Sequence, residues 1–134
     1  MLLEKECEID GKNDSIESVD KILNLHLKKA IIYIESHYHN AITLKDIMRA
    51  VALSHSSLTQ LFKKELGMTP IKYVWHHRIV VAEKLLVCTN LPVQEIASKC
   101  GFQTVQHFSR KFEESHGCTP TVFRKAAVSN KNTE

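Results

Sequence analysis

An all-α fold in which one small unit is used twice is what this 134-residue sequence predicts, and three observations carry that prediction. Apolar residues recur at spacings of three and four along almost the whole body of the chain, the period of a helix with one face turned inward. Glycine and proline are sparse: after residue 21 only Gly67, Gly101, Gly117, Pro70, Pro92 and Pro120 punctuate the pattern. Finally, the stretch ALSHSSLTQLFKKELGMTP (52–70) returns as GFQTVQHFSRKFEESHGCTP (101–120), with the apolar letters kept and the polar letters changed.

The elements follow in order. HLKKAIIYIESHY places Leu27, Ile31, Ile34 and Tyr38 on one face and predicts a first helix. Thr43 reads as an N-cap, with Asp46 at capping-box spacing, and opens a short helix carrying Leu44, Ile47 and Val51. A turn of small residues at Ala52–Ser54 leads into SSLTQLFKKEL, whose inward residues are Leu58, Leu61 and Phe62 and whose stop is Gly67. Pro70 starts a long helix, PIKYVWHHRIVVAEKLLV, with Tyr73, Val74, Ile79, Ala82, Leu85 and Leu86 facing inward. The β-branched run Ile79–Val81 is too brief to compete as a strand.

Then the pattern restarts. Pro92 opens VQEIASKC, Gly101-Phe102 turns the chain, VQHFSRKFEESH forms the next helix, and Pro120 begins a last short one. Ile47 matches Ile96 at an offset of 49, whereas Phe62, Gly67, Thr69 and Pro70 match Phe112, Gly117, Thr119 and Pro120 at 50. The extra residue is expected in the turn, where length varies most cheaply. Each unit is a short helix, a tight turn and a longer helix, which is a helix-turn-helix. The domain reading is an acidic, flexible leader over 1–21, a first helix-turn-helix subdomain over 22–69, a linker helix over 70–88, a second subdomain over 89–127 and a flexible tail over 128–134.

Composition limits the function classes. With 43% hydrophobic and 25% charged residues the chain can build one core or two small ones. No stretch approaches the ~20 apolar residues of a membrane span, and the N-terminus has no secretory pattern, so a cytoplasmic location is expected. Cys7, Cys88, Cys100 and Cys118 include no Cys-x-x-Cys pair and read as reduced thiols, mostly small core residues. No metal or cofactor is expected: His37-x-His39 lacks further ligands, and no nucleophile elbow, phosphate loop or paired acids suggest an enzyme. The net charge of +3 hides a division: residues 1–21 hold seven acids and three lysines, so the remaining 113 residues carry +7. A basic body behind an acidic leader suits a polyanionic partner or, equally, a solvated basic surface.

On the second helix of each unit the side chains left outside are Ser56, Ser57, Thr59, Gln60 and Lys63, and Thr104, Gln106, His107, Arg110 and Lys111. Such groups read base edges: Arg forks onto guanine O6 and N7, Gln onto adenine N6 and N7, and Ser or Thr serves near thymine.

The second copy, EIASKCGFQTVQHFSRKFEESHGCTPTVFR, closely resembles the signature of the AraC/XylS family of bacterial transcription regulators, through Ile96, Ala97, Gly101, Phe102, Phe108, Arg110, Phe112, Gly117, Pro120 and Arg124. The first copy and linker fit as well, through Leu44, Ile47, Leu58, Phe62, Lys63, Gly67, Pro70, Tyr73 and Arg78-Ile79-x-x-Ala82-x-x-Leu85-Leu86. The resemblance covers about residues 26–126 and implies seven helices in two helix-turn-helix subdomains joined by a long helix. It implies a sequence-specific DNA-binding regulator, an activator by family habit, whose partners are double-stranded promoter DNA and RNA polymerase. With only the leader before the module, the chain is similar to the small single-module MarA and SoxS type, which act as monomers. A C-terminal fragment of a larger ligand-sensing regulator is the alternative, and a helical protein-interaction module is another, since Glu113-Glu114 stand where lysine is frequent. Gln60, Met48 and Phe123 depart from the common Arg, Ala and Tyr.

By motif position and exposed face, Ser56, Thr59 and Gln60 are placed at base edges in one groove and Gln106, His107 and Arg110 in the other. Lys63, Lys64, Lys111, Arg124, Thr104 and the Thr43 helix start are candidates for phosphates. A linker of about 17 residues spans roughly 26 Å, enough to bring two recognition helices toward the ~34 Å of one duplex turn. The unlike polar faces imply an asymmetric target. Arg110 has a competing role as a surface ion pair with Glu113 or Glu114, and Trp75 is expected to be a core or subdomain-contact residue. His55 and His107 are expected to gain charge near pH 6 and strengthen binding there.

Overall fold

The computed structural model describes residues 11–133, and side chains over 19–129. Among them the chain forms seven helices: α1 (Gly11–His37), α2 (Leu44–Val51), α3 (His55–Leu66), α4 (Pro70–Cys88), α5 (Val93–Lys99), α6 (Val105–His116) and α7 (Pro120–Thr133). The expected all-α architecture is the observed one, and the described residues contain no strand.

Helix starts and stops come from the residues that mark them. Thr43 caps α2 with a complete capping box: its hydroxyl accepts from the Asp46 N–H at 3.2 Å while its own N–H donates to the Asp46 carboxylate at 2.9 Å. Hydrogen bonding to the carboxylate from the Thr43 backbone N–H first, and then from the Thr43 side chain, holds the Asp46 carboxyl below its usual range. Ser54 caps α3 and Thr104 caps α6, each accepting from the backbone N–H three residues on. Gly67 and Gly117 close those two helices in left-handed conformation, at φ 73° and 76°. Thr69 caps α4 ahead of Pro70 in the first turn.

Two separate cores result. Ala30 and Ile34 of α1 pack with Ile47, Val51, Leu58, Phe62 and Val74. The second core joins Ile79, Ala82 and Leu86 to Ile96, Ala97, Cys100, Phe102, Phe108 and Phe112. Linker α4 enters the first core with Val74 and the second from Ile79 onward. His116, stacked on Phe112 at 4.1 Å, pairs its Nε2 with the Glu83 carboxylate and ties the end of α6 to α4.

Differences from expectation lie at the ends and among the cysteines. The first helix starts at Gly11, so residues 11–21, expected in a flexible leader, are helical; residues 1–10 lie outside the described residues. Residues 12–37 contain neither proline nor glycine, so nothing in the sequence interrupts a helix before His37. Of the expected face Ile34 is fully buried and Leu27 packs against the same core, Ile31 is half-buried, Ala30 is the other fully buried residue, and Tyr38 lies just past the helix end. The last helix, expected to be short, with a flexible tail from 128, continues to Thr133. Of the cysteines, Cys100 alone among those described is buried; Cys118 is half-buried, Cys88 is exposed, and Cys7 lies outside the described residues. Burial pushes the Cys100 thiol up to about 11, so it stays protonated and inert.

Candidate nucleic-acid interface

The two 12-residue helices α3 and α6 each bury one stripe, Leu58, Leu61 and Phe62 in α3 and Phe108 and Phe112 in α6. That packing turns the opposite faces outward. Ser56 and Gln60 are exposed on α3 with Thr59 half-exposed beside them; Gln106 and Arg110 are exposed on α6. Neither helix carries an acid in its first turn, whereas α2 and α5 begin with Asp46 and Glu95. Each outer helix thus offers an uncompensated positive end to an anion, and the two supporting helices do not. The 19-residue α4 spans about 28 Å between them.

The competing role for Arg110 goes to its neighbour. Glu114 pairs with Lys111 at 3.8 Å, and Arg110 has no ion pair among the described residues. Lys111, a phosphate candidate, is drawn inward to within 5.6 Å of the Trp75 ring centroid. Lys63 is exposed; Lys64 lines a cleft with Asp20, Leu23 and Asn24 of α1.

Two phosphate candidates are occupied within the protein. Arg124 points inward: Nε donates to the Leu86 carbonyl at 3.0 Å and Nη2 to the Thr89 carbonyl at 3.3 Å, satisfying the free carbonyls at the end of α4. Thr43 has its N–H bonded to Asp46, whose carboxylate sits where a phosphate would, and like charges exclude one another. Thr104 is exposed, and its hydroxyl oxygen accepts from the His107 N–H at 3.0 Å.

His107 differs from the expectation of a residue charged near pH 6. Its ring packs edge-on against Trp75 at 4.9 Å and Phe102 at 5.7 Å. Desolvation first, then the charges of Arg110, Lys111 and Arg78, hold its pKa below the ordinary 6.5. A folded-state value below the unfolded one means that the unfolded chain binds the proton more readily. His107 therefore costs no stability above pH 6.5, and stability falls as pH drops below 6.5 toward the depressed value. Urea midpoints at pH 7.5 and 6.0 are expected to show a loss at the lower pH that shrinks in His107→Gln; an equal loss in both proteins would exonerate His107.

One residue carries structural weight that its type did not suggest. Arg78 is only 4% exposed, donating Nε to the Tyr38 carbonyl and Nη2 to the Asn40 carbonyl, both at 2.8 Å. Its guanidinium lies 4.6 Å from the centroid of Trp75, which itself packs on Phe102 at 5.4 Å. A local signal for Arg78 exists: it falls on the four-residue stripe Val74, Arg78, Ala82, Leu86, whose other members are core. The expected subdomain-contact role of Trp75 agrees with its contacts.

Comparison with known proteins places this architecture. A family model described as a helix-turn-helix domain matches residues 47–126. The uncharacterized HTH-type transcriptional regulator YdeC of Bacillus subtilis is 31% identical over 124 residues, covering 92% of this chain and 43% of its own. The chain thus spans less than half the length of that relative. A crystal structure of a transcriptional regulator from Chromobacterium violaceum, described as AraC-type, superposes with a TM-score of 0.73 at 30% identity, over 78% of this chain and 93% of the other. The DNA-binding domain of AdpA, in complex with a target DNA, superposes at 0.75 over 81% and 97%; at 20% identity it speaks for the fold alone.

Proposed function

The chain belongs to the AraC/XylS family of helix-turn-helix proteins, and on that premise we propose that it is a sequence-specific DNA-binding transcription regulator. In this proposal α3 and α6 enter successive major grooves on one face of a duplex. One observation carries it: both helices present an exposed row of hydrogen-bonding side chains behind an acid-free first turn, while their apolar stripes are locked into two cores. Side chains of that kind form bidentate contacts with base edges, and a helix N-terminus receives the phosphate beside them. Because Ser56, Thr59 and Gln60 differ from Gln106, His107 and Arg110, the two half-sites differ and the target is asymmetric. The chain acts as a monomer and as an activator that also touches RNA polymerase.

Mobility-shift assays on genomic fragments at two salt concentrations test the proposal. A sequence-selective shift that weakens with salt supports it; no selective shift leaves a helical protein-interaction module as the better reading.

Arg110→Ala is expected to cost about 1–3 kcal/mol of DNA affinity and to relax preference at one base pair. A uniform loss over all sequences would make Arg110 a phosphate contact instead. Lys63→Ala is expected to weaken binding alike on every sequence and lower the slope of log affinity against log salt by about one; an unchanged slope removes it from the interface.

A further inference from the structure

Linker α4 serves two cores, and the single turn from Trp75 to Arg78 lies where one gives way to the other. Val74 is the last α4 residue in the first core and Ile79 the first in the second. Between them stand Trp75 and Arg78, which carry the contacts that join the halves. Arg78 spends its fork on the carbonyls of Tyr38 and Asn40, in the α1–α2 connection of the first subdomain. Gly101, in the α5–α6 turn of the second, lies so close that a Cβ there would overlap the Tyr38 carbonyl oxygen and approach Arg78 Nε to 2.9 Å and His39 Cα to 3.2 Å. Trp75 covers Arg78 and extends to Phe102 and His107, so the joint reaches the exposed face of α6.

We propose that Trp75, Arg78 and Gly101 form a brace that fixes the distance and rotational phase between the two recognition helices, and thereby the half-site spacing that the protein accepts. The spacing part rests on the DNA-binding function proposed above; the brace itself does not. These are positioning residues. Without those contacts the halves are joined by one helical turn flanked by open clefts of about 460 and 260 Å³, which leave room for bending. Adding a base pair moves one half-site by about 3.4 Å and rotates it by roughly a tenth of a turn, a change that only a fixed joint penalises.

Two measurements test this on the full chain. The first compares the fit of backbone residual dipolar couplings in wild type, Trp75→Ala and Arg78→Lys, with Trp75→Leu as the variant that keeps apolar volume should the alanine form not fold. One alignment tensor is expected to fit both subdomains of the wild type, and two to be needed in the variants. A folded variant still described by one tensor overturns the brace, with no DNA involved. The second uses duplexes enriched from a random library by the wild-type chain, and derivatives with one or two base pairs inserted or removed between the half-sites. Wild type is expected to lose about tenfold or more on the derivatives, and the variants to discriminate by about threefold or less. Folded variants with undiminished discrimination overturn the spacing role. Failure of the wild type to enrich any duplex sinks the DNA-binding function and leaves the tensor result standing.

Discussion

Gly101→Ala is expected to destabilise the protein by roughly 2–5 kcal/mol, combining about 1–2 kcal/mol of left-handed strain with about 1–3 kcal/mol for forcing a methyl group into packed backbone. The residue sits at φ 97° against the Tyr38 carbonyl oxygen. Gly67 and Gly117 also have positive φ, at 73° and 76°, but a Cβ at either would meet nothing within 4 Å. Their alanine variants therefore isolate the conformational part, and each is expected to cost about 1 kcal/mol. Urea unfolding of the three variants checks this directly, and equal midpoints for all three would show that the contact with Tyr38 carries no weight. The repeat supplies an internal control. The position equivalent to Gly101 in the first unit is Ala52, also left-handed at φ 57° but exposed to solvent. The first copy tolerates a methyl there because nothing leans on its turn; the second cannot, because the first subdomain does.

That pair of residues illustrates what was legible in the sequence. The repeat, the caps and the terminating glycines act through neighbours three or four positions away, so Thr43, Ser54, Thr104, Gly67 and Gly117 are found where local chemistry puts them. The change of offset from 49 to 50 resolves to Gln103, inserted between Phe102 and the Thr104 cap, inside the turn as expected. The long-range contacts were harder to see. Arg78 and Arg124 bond carbonyls 35 to 40 residues earlier, at the ends of α1 and α4. A basic side chain in a basic body suggests solvent or phosphate, and only the folded arrangement offers it a helix end to satisfy. The stripe spacing of Arg78 was the available clue. For His107 the exposed-face assignment was partly right: the residue reaches the surface, but Trp75 arrives from another helix to cover one side of its ring, and with it goes the expected charge near pH 6.

Phe112→Ala is expected to cost about 3–5 kcal/mol, the range for truncating a fully buried aromatic residue in a core that cannot collapse around the gap. Phe112 is 0% exposed and is the hub of the second core. His116 stacks on it at 4.1 Å, Phe123 meets it at 5.2 Å and Phe108 at 5.8 Å. Those neighbours come from α6 and α7, and His116 in turn holds Glu83 of α4. Removing the ring therefore loosens α6, α7 and their tie to the second half of α4 together. The first core shares no buried side chain with the second, so the loss should be local. Hydrogen exchange is expected to speed up over 89–127 while amides around Ile34, Ile47 and Phe62 keep wild-type protection. Uniform acceleration across the chain would show that the two cores unfold as one unit, with the joint at Trp75 and Arg78 strong enough to couple them. Phe62→Ala, the matching change in the first copy, is expected to give the mirror pattern, and agreement between the two would establish that a duplicated sequence has produced two separately stabilised halves.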